Sequence, residues 1–148
     1  MTTIAATREM MAADTRADID GVGSHVAKIY VHGDAIIGGA GDNEGIMRFL
    51  EWWPHRENKP LRIPKRLDWS AIVLSEEGLL VYENVSFPDV VREEWAAIGT
   101  GAPIALAALD TMHLLKRKPD PRIAVRVACK RDSLTGGDVE HVRLKRRK

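Results

Sequence analysis

Two apolar segments at the N-terminus constrain the fold more than any other feature, because only two polar residues separate them. The segments are TTIAAT at positions 2–7 and MMAAD at positions 10–14, with Arg8 and Glu9 between them. A parallel pair of strands needs a long crossover connection, whereas two residues are enough to close an antiparallel hairpin. The sequence therefore predicts a β-hairpin whose second strand ends at Asp14.

Two further hairpins are predicted downstream. VAKIYVHGDAIIGGAG, positions 26–41, places two β-branched runs on either side of a Gly33-Asp34 turn. WSAIVLSEEGLLVYENV, positions 69–85, has the same pattern around a glutamate and glycine turn. The segment DIDGVGSH, positions 18–25, is rich in turn residues, and we expect it to be a loop.

Three segments have the residue spacing of helices. Apolar residues recur at helical intervals in DNEGIMRFLEWW, positions 42–53, behind the capping residue Asp42. APIALAALDTMHLLKRK, positions 102–118, has a broad apolar face, and PRIAVRVACKRD, positions 121–132, begins with a proline in its first turn. The basic, proline-bearing stretch at positions 55–68 predicts a surface connection.

The order of these elements predicts the fold class. Two more strands are expected, in WAAIGTG at positions 95–101 and in LTGGDVEHVRL at positions 134–144. Strands grouped in hairpins, with the helices segregated from them, favour an α+β layered sandwich over an alternating parallel sheet. A length of 148 residues fits one domain, and no repeat or linker divides it, so we expect a single domain over residues 1–148.

The composition argues against several classes of function. A formal net charge of +1 gives no general attraction to nucleic acid or to a membrane surface. Cys129 is the only cysteine and the histidines lack metal-ligand spacing, so we expect no disulfide, metal or organic cofactor. The chain has no membrane-length apolar run and no signal-peptide pattern. A soluble cytoplasmic protein is expected, with its basic end RLKRRK solvated rather than bound to nucleic acid.

The threonine pair behind the initiator methionine suggests a specific chemistry. If Met1 is removed, Thr2 carries a hydroxyl nucleophile and an α-amino base on one residue. The unperturbed pKa of an α-amino group is about 7.7–8.0, which suits a base that works near neutral pH. Taken alone, MTT is better explained as the ordinary start of a β-strand.

Several segments in the N-terminal third resemble proteasome β-type subunits and the bacterial HslV peptidase. The chain resembles the small members of this family, of a bacterial or phage type. TTIAAT, MMAADTR and HVAKIYV are similar to the strands that carry the family's threonine, aspartate and lysine, which fall on Thr2, Asp14 and Lys28. IIGGAGD is similar to the family's glycine segment. Its oxyanion-binding position falls on Gly41, and the floor of its specificity pocket falls on Gly39.

Two later segments extend this resemblance. AAIGTGAPIALAALD is similar to the segment beside the family's active centre, with Thr100 where the family usually has serine. ACKRDSLTGGDVEHVRL is similar to the closing segment, whose aspartate and hydroxyl residue fall on Asp132 and Thr135. The blocks keep the family order over nearly the whole chain, whereas positions 54–69 match nothing in the family.

The resemblance implies a four-layer αββα sandwich of the N-terminal-nucleophile hydrolases and a threonine-type peptidase or amidase that forms an acyl-enzyme. Gly39 implies a deep pocket that accepts large apolar side chains. The implied partners are a peptide or protein substrate, further copies of the chain in a ring, and an ATP-dependent unfoldase, without cofactor or metal. The implied catalytic residues are Thr2, Asp14, Lys28, Gly41, Thr100, Asp132 and Thr135.

Two alternatives remain open from the residues. If Met1 is retained, the Thr2 nitrogen stays in a peptide bond, and the chain would be a catalytically silent assembly or binding subunit. With the same nucleophile, the chain would alternatively be an amidase for small molecules. Labelling by a peptide probe without digestion of proteins would favour the amidase.

Overall fold

The computed structural model describes residues 1–146, so the last two residues of RLKRRK lie outside the described residues. Within that range no helix is long and apolar enough to cross a membrane. The strands are β1 (Thr3–Thr7), β2 (Met10–Asp14), β3 (Arg16–Ile19), β4 (Val22–His25), β5 (Ile29–His32), β6 (Ala35–Gly41), β7 (Trp69–Ser75), β8 (Gly78–Glu83), β9 (Asp89–Val91), β10 (Trp95–Gly99) and β11 (Val139–Arg143). The helices are α1 (Asn43–Trp52), α2 (Ala102–Leu114) and α3 (Pro121–Arg131), with a 3₁₀ helix at Trp53–His55.

Two antiparallel sheets form the centre of the molecule. The first has four strands in the order β10-β1-β2-β11, and the second has five strands, β5 to β9, in chain order. The three predicted hairpins are confirmed, since β1 pairs with β2, β5 with β6 and β7 with β8. β1 also pairs with β10, with Thr3 opposite Gly99. This long-range pairing brings the first residues of the chain beside those near position 100.

Three hydrophobic clusters separate four layers. One cluster lies between the two sheets and includes Ile4, Met11 and Ile72. A second lies between α1 and the five-stranded sheet, around Phe49, and a third lies between α2, α3 and the four-stranded sheet, around Leu109. The layers are therefore helix, sheet, sheet and helix pair, and the expected αββα sandwich is confirmed.

The N-terminal hairpin is apolar on both faces because it belongs to an inner layer. Ile4 and Ala6 pack between the sheets, whereas Ala5 and Ala12 face the helix pair. Successive side chains of a strand point to opposite faces, so both sets must be apolar. The alanines are small, which lets α2 and α3 lie close to the sheet. Asp14 ends this hairpin as a fully buried carboxylate.

The segment at positions 18–25 is not a loop, contrary to the sequence prediction. β3 and β4 form a separate two-stranded sheet in which Asp18 lies opposite Gly23. The turn residues Asp20 and Gly21 have φ angles of 53° and 78°. Asp-Gly is favoured in two-residue hairpin turns because both central residues need positive φ. A hairpin signal was therefore present in this segment.

Other boundaries also differ from the sequence prediction. β9 was not predicted, and α2 ends at Leu114 instead of continuing through its basic end. The chain leaves helical geometry at Lys116, whose φ is 55°. The segment at positions 55–68 is only partly a surface connection, because Leu61 and Leu67 are buried in the cluster around α1. These two leucines hold the segment against the helix.

Candidate active site

The first two residues of the chain border two cavities that share walls. One cavity, of about 280 Å³, is also lined by Gly41 and Thr100. The other, of about 420 Å³, is also lined by Lys28 and Gly41, and Gly39 lies in its wall. Hydrogen bonds connect this region to the other predicted residues, as described below. The structure thus brings all the residues of the predicted site into one region.

Asp14, at the end of β2, and Lys28, directly before β5, form a buried ion pair. Lys28 Nζ lies 3.0 Å from Asp14 Oδ1, and the two residues are 6% and 0% exposed. The carboxylate also accepts the backbone N–H of Thr3 at 2.8 Å and that of Gly136 at 3.1 Å. A buried carboxylate is costly unless its oxygens are paired, and here both oxygens have partners.

The Lys28 ammonium uses all three of its donors. Besides Asp14, it donates to the Arg16 carbonyl at 2.6 Å and to the Met1 carbonyl at 3.1 Å. Because the Met1 carbonyl carbon is bonded to Thr2 N, the ammonium lies within about 5.5 Å of that nitrogen. At such a distance a cation lowers the pKa of a neighbouring amine by like-charge repulsion. Lys28 is therefore fixed where it would act on a free Thr2 amine.

A chain of hydroxyl groups lies on the other side of the site. Asp132 Oδ2 accepts hydrogen bonds from Thr100 Oγ1 at 2.6 Å and from Thr135 Oγ1 at 2.5 Å. Thr135 Oγ1 also lies 2.7 Å from Thr3 Oγ1. Because Thr135 gives its single proton to Asp132, Thr3 must be the donor to Thr135. The hydroxyls therefore point in one direction, towards the carboxylate.

The Asp132 carboxylate is held in its ionised form. Burial has the largest single effect and raises its pKa, but hydrogen bonds from Thr100, Thr135 and the backbone N–H of Leu134 outweigh it. The positive charge of the chain's amino terminus lowers the pKa further, so the net shift is downward. Asp132 therefore presents a negative charge towards the amino terminus.

Gly41 ends β6 in a conformation that requires glycine. Its φ is +96°, and a Cβ there would lie 2.3 Å from the Asp68 carbonyl oxygen. Asp42 follows it, and its carboxylate accepts the Asp68 N–H at 2.7 Å instead of capping α1, so the predicted side-chain cap is absent. The residues around Gly41 are thus fixed by contacts with the chain just before β7.

The backbone N–H of Gly41 points away from β7. Asp42 N donates to Asp68 O at 2.7 Å on the β7 side, whereas Gly39 N donates to Lys28 O at 3.2 Å on the β5 side. Donor direction alternates along an antiparallel strand, so the Gly41 N–H points to the same side as that of Gly39. β5 begins at Ile29 and does not extend opposite Gly41. The Gly41 N–H is therefore directed past the end of β5, towards the larger cavity.

Gly39 has a packing role as well as a place in the cavity wall. A Cβ at Gly39 would lie 2.5 Å from Ile46 Cγ2, so the Ile46 side chain leaves no room for a side chain at this position. Ile46 and Tyr30 line the same cavity. Burial raises the pKa of the Tyr30 phenol, with a second contribution from Glu140, so this wall stays uncharged at neutral pH. Ile46 therefore limits the depth that the glycine alone would leave.

Two residues of this site were missed by the sequence prediction. Thr3 is fully buried, and its N–H and hydroxyl connect Asp14 to Thr135. The repeated threonine was the only signal for it. Glu140 accepts the backbone N–H of Lys28 through its carboxylate, at 2.6 Å. A lone glutamate in a strand near a basic terminus normally indicates a solvated position, so nothing in the sequence distinguished it.

Comparison with known proteins gives the fold. No family model matches the chain, and no curated protein matches it in sequence. Eukaryotic HslV from Trypanosoma brucei superimposes with a TM-score of 0.78 at 21% identity, over 97% of this chain and 99% of HslV. BPH from Thiobacillus denitrificans gives 0.74 at 15% identity, over 97% and 98% of the two chains. BPH in complex with epoxomicin gives 0.71 at 15% identity, over 98% and 99%. The chain therefore has the HslV-like fold over nearly its whole length, which confirms that part of the resemblance.

Proposed function

We propose that this chain is a threonine-type hydrolase that cleaves amide bonds, with Thr2 as its N-terminal nucleophile once Met1 is removed. The observation that carries the proposal is the buried Lys28 ammonium, held by Asp14 and donating to the carbonyl that precedes Thr2 N. Burying a charge is costly, so its presence beside one peptide nitrogen is best explained by chemistry there. The HslV-like fold supports the same conclusion.

The reaction follows from the groups around Thr2. Its hydroxyl oxygen bonds to the substrate carbonyl carbon while the hydroxyl proton passes to the α-amine. The Gly41 N–H donates to the oxyanion that forms. The carbon–nitrogen bond then breaks, the amine returns the proton to the leaving nitrogen, and an ester to Thr2 remains. In the second half, water gives a proton to the same amine as its oxygen bonds to the ester carbon. The ester carbon–oxygen bond then breaks, the amine returns the proton to the Thr2 hydroxyl oxygen, and the acid leaves.

The remaining residues prepare this amine. Lys28 keeps the pKa of the amine low enough for it to be free near neutral pH and favours the alkoxide of Thr2. Asp14 holds the Lys28 side chain in place through their 3.0 Å contact. Asp132 and the Thr100 and Thr135 hydroxyls offer hydrogen bonds that orient the amine. The proposal thus assigns a role to each predicted catalytic residue.

The substrate in this proposal is a peptide or protein. The larger cavity has an apolar part lined by Ile46, Val26 and Tyr30, with Gly39 in its wall, and its lining also includes Arg16 and Asp18. Such a pocket would accept large apolar side chains on the acyl side of the cut bond. We expect a panel of fluorogenic peptides to be cleaved after such residues. Cleavage confined to small or acidic residues would contradict this specificity.

Self-association is part of the proposal, since opposite sides of the sandwich carry opposite charges. β11 lies at one lateral side, and β9 lies at the other. The β11 side exposes the cations Arg143, Lys145 and Arg146. The β9 side is acidic on balance, since it exposes Glu83, Asp89, Glu93 and Glu94 against Arg92, together with Val85, Phe87 and Val90. A head-to-tail contact between such sides closes into a ring when the rotation allows.

Charge reversal tests this association. Arg143→Glu with Lys145→Glu makes both sides acidic, and Asp89→Lys with Glu93→Lys makes both sides basic. Each double variant is expected to be monomeric in analytical ultracentrifugation, and an equal mixture of the two is expected to assemble. Variants that stay assembled alone would contradict the head-to-tail contact. A cytoplasmic location and an ATP-dependent unfoldase partner complete the proposal and rest on the resemblance to HslV.

A silent assembly subunit is the second candidate, and one contact favours it. In the chain that begins with Met1, the Met1 carbonyl occupies a donor of Lys28, and the Thr2 nitrogen is an amide without basicity. If cells retain Met1, the same contacts hold the terminus as a structural element. A small-molecule amidase shares the nucleophile and would be distinguished by hydrolysis of short acyl amides without digestion of peptides.

Hydrolysis by matched variants tests the proposed reaction. Protein that begins at Thr2 is expected to cleave fluorogenic peptides, whereas Thr2→Ala is expected to be inactive and Thr2→Ser to keep measurable activity. Thr111→Ala, on the exposed side of α2, is the control and is expected to match the wild type. Equal activity of the wild type and Thr2→Ala would contradict the proposal. The complex of BPH with epoxomicin makes epoxomicin a suitable probe for the same variants.

A further inference from the structure

Strand β11 contacts both residues of the buried Asp14–Lys28 ion pair, although neither residue belongs to this strand. It pairs with β2 so that Val139 lies opposite Asp14 and Glu140 opposite Ala13. The Glu140 side chain crosses to the other sheet, where Oε1 accepts the N–H of Lys28 at 2.6 Å and that of Ile29 at 3.2 Å. One residue of β11 thus links the strand of Asp14 to the start of the strand of Lys28.

These two N–H groups lie where the five-stranded sheet ends. β5 is an edge strand, with β6 as its only neighbour in the described sheet. Ile29 lies opposite Gly38. Gly39 N donates to Lys28 O, so the Lys28 carbonyl points to β6. The N–H of the next residue, Ile29, therefore points the other way, to the open edge of the sheet. Buried backbone donors need acceptors. The Glu140 carboxylate provides the acceptor that a neighbouring strand would otherwise supply.

We propose that Glu140 is a positioning residue that sets the spacing of the two sheets at the site and thereby places the Lys28 ammonium against Asp14 and Thr2. This inference rests on the proposed function. A carboxylate acceptor makes stronger and shorter hydrogen bonds than a neutral one, so it fixes the Lys28 backbone firmly. The Lys28 Nζ in turn makes three hydrogen bonds whose lengths depend on that backbone.

The surroundings of Glu140 connect it to the substrate cavity and to solvent. Its charge contributes to the raised pKa of Tyr30, a residue in the wall of the larger cavity. His25 and Asp138 line a third cavity of about 350 Å³ together with Glu140. A substitution at Glu140 therefore changes both a hydrogen-bond acceptor and a local charge, and a test must separate the two effects.

Two variants at the same position separate them. Glu140→Gln keeps an oxygen acceptor and loses the charge, and Glu140→Ala loses both. Both variants lack the charge, so any difference between them is due to the loss of the hydrogen-bond acceptor. Glu51→Ala, on the exposed face of α1, is the control for loss of a glutamate elsewhere. All proteins are made to begin at Thr2, by cleavage of an N-terminal fusion directly before that residue.

The first measurement needs no catalysis. NMR titration is expected to give a higher pKa for the Thr2 α-amine in Glu140→Ala than in Glu140→Gln, because a displaced Lys28 ammonium repels the amine less. Amide exchange at Lys28 and Ile29 is expected to be faster in Glu140→Ala alone. In peptide hydrolysis, Glu140→Ala is expected to lose on the order of 10- to 100-fold in kcat. The acid limb of its pH profile for kcat is expected at higher pH than in Glu140→Gln.

The outcomes separate this inference from the proposed function. Equal amine pKa values and equal pH profiles in the two variants would overturn the positioning role, even if Glu140→Ala had a lower Tm. If the amine pKa differs between the two variants as expected but the wild type hydrolyses nothing, the positioning role would stand and the proposed function would be contradicted instead.

Discussion

Lys28 Nζ lies 3.1 Å from the carbonyl oxygen of Met1, so a buried ammonium contacts the peptide group that joins Met1 to Thr2. The same ammonium is held by Asp14 at 3.0 Å and by the Arg16 carbonyl at 2.6 Å. If Met1 is removed, the Met1 acceptor is lost and one donor of Lys28 becomes free towards Thr2. In the proposed function, the loss of one residue would convert a structural contact into a catalytic one.

Removal of the Lys28 charge is expected to affect stability and activity in separable ways. Lys28→Met leaves the Asp14 carboxylate buried without its cation, which should lower the free energy of unfolding by about 3–5 kcal/mol. Adding Asp14→Asn should restore much of that loss and none of the activity. Urea unfolding and peptide hydrolysis check the two parts, with Lys65→Met as the surface control. Full activity in the double variant would contradict the role of Lys28.

The conformation of Gly41 predicts a large effect of the smallest substitution. Gly41→Ala places a Cβ 2.3 Å from the Asp68 carbonyl oxygen at a φ of +96°, so the backbone must shift. Loss of an oxyanion donor typically costs on the order of 100-fold in kcat. Gly33→Ala is the matched control, since its φ is +60° and its Cβ would meet open space. A similar kcat in the two variants would argue against Gly41 as the oxyanion donor.

The contact between Gly39 and Ile46 predicts a compensating pair. Gly39→Ala alone is expected to be destabilised, because its Cβ would lie 2.5 Å from Ile46 Cγ2. Ile46→Ala alone should enlarge the pocket and improve cleavage after the bulkiest apolar side chains. The double variant should recover stability relative to Gly39→Ala. Thermal unfolding and a peptide panel measure both effects, and additive destabilisation in the double variant would contradict the contact.

The lowered pKa of Asp132 predicts how stability depends on pH. A carboxylate with a lower pKa in the folded state stabilises the fold at pH values above its unfolded pKa of about 3.9. That contribution is lost as the pH falls through the folded pKa. Asp132→Asn should therefore be less stable than the wild type at pH 7, and the difference should shrink below about pH 4. Urea unfolding from pH 3 to pH 7 measures this, with Asp89→Asn as the exposed control. A difference that stays constant with pH would contradict it.

The hairpins and the buried ends of the strands could be predicted from the sequence because they depend on local spacing. Arg8 and Glu9 leave room only for a turn, and the β5–β6 turn has its own glycine. The positions of Asp14 and Lys28 came from the resemblance, and in the structure the two side chains are in contact. Their catalytic roles remain a proposal.

The features that were missed depend on pairing between distant parts of the chain. Glu140 reaches Lys28 only because β11 returns to β2 and the two sheets stack, and no local pattern encodes that arrangement. Thr3 meets Thr135 for the same reason. The β3–β4 hairpin is a different case, since its Asp-Gly turn was visible in the sequence, but the many turn residues of the segment favoured a loop.

The central claim is that Thr2 carries a free amine and is the nucleophile, and intact mass before and after exposure to epoxomicin tests it most directly. We expect protein purified after natural initiation to lack the mass of one methionine residue. Epoxomicin should add one equivalent, located at Thr2 by peptide mapping and absent in Thr2→Ala. A full-length mass with no adduct, or an adduct that persists in Thr2→Ala, would contradict the account.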